Sequence, residues 1–201
     1  MSVLHLLGTA GEGGAETYFL DLVAALADDR VGQVAAIRAN ANREAALARI
    51  DVPSGTFRFG GPIDILTRPK LKSFAQKHDV KLALAWMNRA ARHTPRGPWA
   101  RIGRLGGYYN LKYYKGFDHL VANTEDIADW VVSQGWPAGK VRHIPNFADA
   151  PPDAPPIMRT ITVAVGGNGT GTVASTPAGL SCPSTCTLTV ADGTAVTLTA
   201  T

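Results

Sequence analysis

The chain has 201 residues, of which 45% are hydrophobic and 18% charged, the balance of a globular protein and not of a disordered one. Its net charge of +4 is modest and spread out, which excludes the dense basic footprint of a nucleic-acid-binding protein. No apolar run reaches the roughly 18 residues of a membrane span, and the start Met1-Ser2-Val3-Leu4-His5 has neither the basic region nor the cleavage box of a signal peptide.

Residues 3–7 form a short apolar run that fits a buried strand of a parallel sheet. A glycine-rich turn follows, Gly8-Thr9-Ala10-Gly11-Glu12-Gly13-Gly14. Residues 15–27 then place Phe19, Leu22, Val23 and Leu26 on one helical face. Glycines at such a junction let the backbone approach a ligand, and the first free N–H groups of the helix favour a phosphate or sugar oxygen. The glycines do not give the dinucleotide pattern G-x-G-x-x-G, so a ligand-free turn is the alternative reading.

Residues 33–38 read as a second strand, 42–50 as a helix, 56–59 as a short strand and 63–78 as a helix broken near Arg68-Pro69. Residues 81–87 read as a buried strand with a polar, basic exit, Asn88 to Pro95. Residues 100–105 read as a strand, Gly106-Gly107-Tyr108-Tyr109 as a turn and residues 119–122 as a strand. Thr124 is placed to cap a helix over 125–134, with Gly135 ending it, and 141–144 reads as a last strand. Strands alternating with helices predict a Rossmann-like parallel sheet with right-handed crossovers.

The composition then changes. Residues 149–156 are proline-rich and read as an extended linker. Beyond Met158 the only charged side chains are Arg159 and Asp192, and both cysteines lie there. Residues 160–165, 170–175, 185–190 and 194–199 alternate with period two, with a turn at Gly166-Gly167-Asn168-Gly169 and a hairpin signal at Asp192-Gly193 joining the last two. The chain thus divides into a Rossmann-like α/β domain at 1–149, a linker at 150–157 and a small all-β module at 158–201.

Several stretches carry a resemblance. Gly13-Gly14-Ala15-Glu16 after the first strand, Ala85-Trp86-Met87-Asn88-Arg89-Ala90, the run from Ala100 to Tyr114, Asn123-Thr124-Glu125-Asp126-Ile127, and Gly135-Trp136-Pro137 through Asn146-Phe147 resemble the N-terminal half of family-four glycosyltransferases of the GT-B fold. The likeness covers residues 1–149 and lies nearest to bacterial enzymes that build lipopolysaccharide or related surface glycans. It implies the acceptor-side half of a GT-B fold and transfer of a sugar, with retention, from a nucleotide sugar to a glycan or lipid-linked acceptor. The nucleotide sugar would be a co-substrate, and no cofactor or metal is implied. The place implied is the cytoplasm or the inner membrane surface.

The resemblance places Gly13, Gly14 and Glu16 near the sugar-nucleotide phosphates, although Glu16 also reads as a helix-dipole residue. Asn88 and Arg89 are candidates for acceptor binding or a solvated strand exit. His93 is a candidate base by residue type, or a surface histidine. Arg104 and Lys112 are candidates to neutralise a phosphate, with Gly106, Gly107 and Tyr108 beside them; a solvated face is the plainer reading of the two cations, and a core role that of the tyrosine. The tail resembles one unit of a β-repeat of secreted or surface proteins, a likeness that implies a Cys182–Cys186 disulfide and an exported setting.

In the family a second Rossmann-like domain grips the donor. Here the β-module stands in that place, so little or no turnover is expected unless a partner supplies the donor domain in trans. A non-catalytic glycan- or anion-binding or surface-association module is a second reading. A truncated or fused reading frame is a third.

Overall fold

The computed structural model describes residues 2–61, 63–147, 158–164, 166–168 and 170–201. The chain forms two compact units, Met1–Ala148 and Asp149–Thr201. The expected linker lies outside the described residues, as do Val165 and Gly169 of the expected tail strand and turn.

In the first unit, β1 (Ser2–Leu7), β2 (Gly32–Ile37), β3 (Ser54–Thr56), β4 (Leu82–Trp86), β5 (Ala100–Leu105), β6 (His119–Ala122) and β7 (Val141–His143) make one sheet. Its order is β3-β2-β1-β4-β5-β6-β7, with every pairing parallel. A parallel sheet is buried on both faces, which explains the unbroken apolar runs. Alternate residues serve opposite faces. Leu4, Leu6, Val34, Ala36, Ala83 and Ala85 pack with α3 (Thr67–Lys77), α4 (Met87–His93) and α5 (Glu125–Ser133). Leu7, Ala35 and Ile37 pack with α1 (Gly14–Asp28) and α2 (Ala41–Arg49). The strand order reverses between β1 and β4, and ligands of open α/β sheets bind outside the carboxyl ends of strands at such a point.

Two expected caps are present. Thr124 Oγ1 accepts from Ile127 N at 3.2 Å, and Gly135 takes φ +93° beyond α5. Three elements differ from expectation. The helix expected from residue 63 begins at Thr67, because the Asp64 carboxylate accepts from Gly60 N, Leu66 N, Thr67 N and the Thr67 hydroxyl, which ties Asp64 to Gly60 and to the start of the helix. Those bonds, the Thr67 hydroxyl first, hold the Asp64 carboxyl well below the usual range. Pro69 falls in the first turn of α3, where its missing N–H costs nothing and no break arises. The short strand ends at Thr56. The basic exit of the fourth strand is helical: α4 starts directly after Trp86, with Met87 at φ +61° and Ala90 and Ala91 buried.

His5 is fully buried on β1, edge-on to Phe19 at 6.1 Å. Burial pushes its pKa down to about 4, opposed by its neighbour Gln33. The unfolded chain titrates near 6.5, so this stabilisation is complete above that pH and is lost as pH falls towards 4, a swing of about 3 kcal/mol. Leu does not titrate, so the melting temperature of His5→Leu relative to wild type should rise as pH falls from above 6.5 towards 4. A pH-independent difference would contradict this; His93, also pushed down by burial, is common to both proteins.

The second unit holds β8 (Met158–Thr162), β9 (Val173–Thr176), β10 (Ser181–Cys182), β11 (Thr187–Ala191) and β12 (Thr197–Ala200). Cys182 and Cys186 are disulfide-bonded. The hairpin expected across Asp192-Gly193 does not form. The turn is made, with Gly193 at φ +83°, but β11 pairs with β8 and β12 with β9, each antiparallel. The turn signal is local, whereas Leu180, Cys182 and Leu188 have to be enclosed together, and strands diverging onto two sheets achieve that.

Candidate functional site

A cavity of about 230 Å³ opens at the carboxyl ends of the strands. The start of α1 contributes Gly14, Ala15 and Tyr18, the end of β4 Trp86 and Met87, the end of β5 Arg104 and Gly106, and the segments after β6 and β7 Asn123 and Asn146. Gly13 precedes α1 in extended conformation and offers no side-chain cap, so the first N–H groups of the helix stay free for a ligand. A Cβ at Gly11 or Gly14 would meet nothing within 4 Å, which leaves open space above the loop.

Arg104 is the charged group of this cavity. It is 6% exposed, and its guanidinium lies 4.6 Å from the centre of the Tyr18 ring and 5.6 Å from that of Trp86. Nη2 donates to Asn146 Oδ1 at 2.6 Å and to the Ile144 carbonyl at 3.3 Å. Both acceptors are neutral, and among the described residues no carboxylate lies within 4 Å of it. Burial lowers its pKa, yet a guanidinium keeps its charge at any physiological pH. A buried charge is costly unless it is paired. Asn123 Oδ1 and Trp86 Nε1 are also buried without a partner among the described residues. A permanent cation, a helix N-terminus and spare polar groups at one mouth suit a phosphate, and the flanking aromatic faces suit the flat or apolar face of a ring.

The glycine loop is held from beneath. Arg43, buried on α2, donates from Nη1 to the Thr9 carbonyl and from Nη2 to the Gly11 carbonyl, each at 2.9 Å. Asn40 Nδ2 donates to the Ala10 carbonyl at 3.0 Å. Thr9 Oγ1 donates to Glu16 Oε1 at 2.5 Å. Glu16 thus closes the loop onto its own helix, and with Gly13 it lines a neighbouring hollow of about 190 Å³ on the Arg43 side.

Gly14, Arg104 and Gly106, all expected from the sequence, meet at the main cavity. Gly107 continues the turn beside it, 3.5 Å from the Tyr109 ring by the position a Cβ would take. Asn88 and Arg89 line a separate hollow of about 290 Å³ with Gly60, Gly61, Arg92 and Tyr113, and Arg89 donates to the Phe59 carbonyl at 3.2 Å. His93 lies away from the Arg104 cavity and is not solvated; it lines a hollow of about 360 Å³ with Asp64, Ile65, Arg68 and Arg92. It is 3% exposed, its Nε2 lies 3.0 Å from the Gly60 carbonyl, and its ring is edge-on to Phe59. Tyr108 is 60% exposed, hydrogen-bonded to Asp126 and packed on Trp130. Lys112 is exposed, 5.0 Å from the Tyr113 ring.

Sequence reasoning missed Tyr18, Trp86, Asn123, Asn146 and Arg43 as site residues. Trp86 and Tyr18 look like ordinary core positions, and Asn123 looks like part of a helix cap. Asn146 stands two residues past a strand end, where a site residue is expected.

A family model described as Glycosyltransferase Family 4 matches residues 12–150. Two lipopolysaccharide core biosynthesis glycosyltransferases of Rhizobium meliloti (strain 1021) are similar. LpsE is 34% identical over 163 residues, covering 73% of this chain and 48% of its own length. LpsD is 36% identical over 163 residues, covering 79% and 46%. The chain therefore spans about half the length of the curated relatives it matches. Among solved structures, Anabaena Alr3699/HepE in complex with UDP aligns at TM-score 0.58 and 17% identity, over 75% of this chain and 45% of that one. The lipopolysaccharide outer core galactosyltransferase WaaB in its apo form aligns at 0.57 and 11%, over 78% and 50%. The parallel sheet with its glycine loop is thus the Rossmann-like half seen in GT-B enzymes, and the chain belongs to glycosyltransferase family 4.

Proposed function

We propose that the first unit is the acceptor-side half of a nucleotide-sugar transferase of lipopolysaccharide or related surface-glycan assembly, with the donor's phosphates lying between the start of α1 and Arg104. The observation that carries this reading is the buried guanidinium at the cavity, with no carboxylate within 4 Å among the described residues. Two pieces of support come from relatives: the matched curated proteins are named for lipopolysaccharide core synthesis, and a structural neighbour was solved with UDP-glucose. The reaction proposed is retaining transfer to a hydroxyl of a glycan or lipid-linked acceptor, with the nucleotide sugar as co-substrate and no metal invoked. In this role Arg104 offsets negative charge on the diphosphate and the α1 N–H groups fix its position. Tyr18 and Trp86 exclude water from the cation, which strengthens its field. Holding donor and acceptor together also takes a donor-side domain. None is found among the described residues, and a partner in trans is the proposed source. The place of action proposed is the cytoplasmic side of the inner membrane.

Calorimetric titration with UDP- and GDP-sugars tests the reading. Saturable binding of at least one is expected, without sustained turnover by this chain alone. Absence of saturable binding to any of them would overturn it.

A further inference from the structure

The second unit encloses very little. Among its described residues the buried side chains are Ser175, Leu180, Cys182 and Leu188, with Val163, Val173, Cys186, Val190 and Val196 half-buried around them. Below about 70 residues an apolar core alone seldom holds a fold together, and a covalent staple is a common remedy.

The staple here has a particular place. The five strands form two sheets, β10-β9-β12 and β11-β8, and among the described residues no strand of one pairs with a strand of the other. Cys182 ends β10 in the first sheet. Cys186 stands directly before β11 in the second, and its carbonyl accepts from Val163 N at 2.9 Å, which continues the β11–β8 ladder. The Cys182–Cys186 bond therefore joins sheet to sheet, and Cys182 does so from the enclosed core, at 1% exposure. Ser181 and Thr185 also meet across the same loop, exchanging backbone hydrogen bonds at 2.8 and 2.7 Å. Both residues are exposed, so water competes for those bonds.

We infer that the Cys182–Cys186 bond is a redox latch on the second unit. Oxidised, it holds the two sheets together; reduced, the unit opens, while the first unit, which contains no cysteine, is unaffected. A reductant can reach the bond. Pro183, Ser184 and Thr185 are exposed and Cys186 is half-buried, whereas Cys182 is enclosed. One thiolate of a dithiol reductant attacks Cys186 Sγ; the S–S bond breaks, and Cys182 Sγ takes the electron pair and a proton. The second thiolate of the reductant then attacks the mixed disulfide, and Cys186 leaves as a thiol. The chain gains two S–H groups and the reductant becomes a disulfide. By the chain-entropy relation, cutting the closed loop 182–186 shifts the unit towards its open state by about thirtyfold. In a reducing compartment such as the cytosol the second unit is thus open, and in an oxidising one closed. The inference is independent of the transfer reaction proposed for the first unit.

Hydrogen–deuterium exchange of the full chain, read by mass spectrometry, tests this, because exchange of a protected amide tracks the population of the open state. The oxidised chain is compared with the same chain after dithiothreitol at the same pH, with thiol titration confirming the two new thiols. Peptides from β9 to β12 are expected to exchange at least about thirtyfold faster once reduced, peptides from residues 2–147 to exchange as before, and oxidised glutathione to restore protection. Cys182→Ala/Cys186→Ala should exchange like the reduced wild type whether or not the reductant is present. Equal exchange of the second unit in the oxidised and reduced chain would overturn the inference, as would the absence of thiols after dithiothreitol. So would acceleration in both units, or acceleration by dithiothreitol in the cysteine-free variant, since either would be an effect of the reagent and not of the bond.

Discussion

Replacing Gly103 by alanine is expected to lower the melting temperature of the first unit by about 6–10 °C. Gly103 sits in the middle of β5, paired with Ala85 on one side and Leu120 on the other. A Cβ there would stand 2.4 Å from Tyr114 Cδ1, 2.7 Å from Tyr114 Cε1 and 2.8 Å from Leu120 Cδ2. Tyr114 is fully buried against Phe117 and cannot swing aside. Glycine in a strand interior marks a close approach of this kind. Overpacking a core costs about 1–3 kcal/mol, and contacts this short belong at the upper end. Each kcal/mol is worth roughly 2–4 °C at this chain length. Gly106→Ala is the control, because its nearest neighbour would be 3.7 Å away. Thermal melts of both variants check the claim, and a Gly103→Ala midpoint within a degree of wild type would contradict it.

Arg104→Met should separate stability from binding. The methionine stem replaces the arginine stem between Tyr18 and Trp86, so packing is largely kept. What disappears is a buried cation whose hydrogen-bond partners are neutral. Exchange of a buried charge for an apolar side chain of similar size is often neutral or stabilising, so the melting temperature should hold or rise. Binding of a nucleotide diphosphate should fall by about 2–4 kcal/mol, thirtyfold to several hundredfold, because a phosphate loses its charge-assisted partner. Arg104→Lys should land between, keeping charge but losing the planar fork and the stacking. Loss of stability together with unchanged binding would mean that Arg104 is a structural residue.

How far this was legible from sequence depends on the range of the forces involved. The strands of the parallel sheet were readable because both faces are buried and each run is apolar, as in Leu4, Leu6 and Leu7. The helix α4 was not, because only Ala90, Ala91 and His93 of its seven residues are buried and the arginines around them look like loop. The start of α3 was misplaced because Ile63, Ile65 and Leu66 look like helix core, while Asp64 decides the matter through its side chain. The tail hairpin failed for the opposite reason, since the Asp192-Gly193 signal was correct for the turn and silent about which strand each arm would find. At the site, Arg104 stood out as a cation beside a glycine turn. Its confinement between a ring from α1 and one from β4 is tertiary, as is the support of the glycine loop by Arg43 from more than thirty positions downstream.

The most direct measurement is a pair of calorimetric titrations of the intact chain, one with UDP and one with uridine, repeated on Arg104→Met. The proposed site predicts saturable binding of UDP, none of uridine, and loss of the UDP signal in the variant. Equal binding of UDP and uridine, or UDP binding that survives the substitution, would contradict the assignment of this cavity to the donor's phosphates.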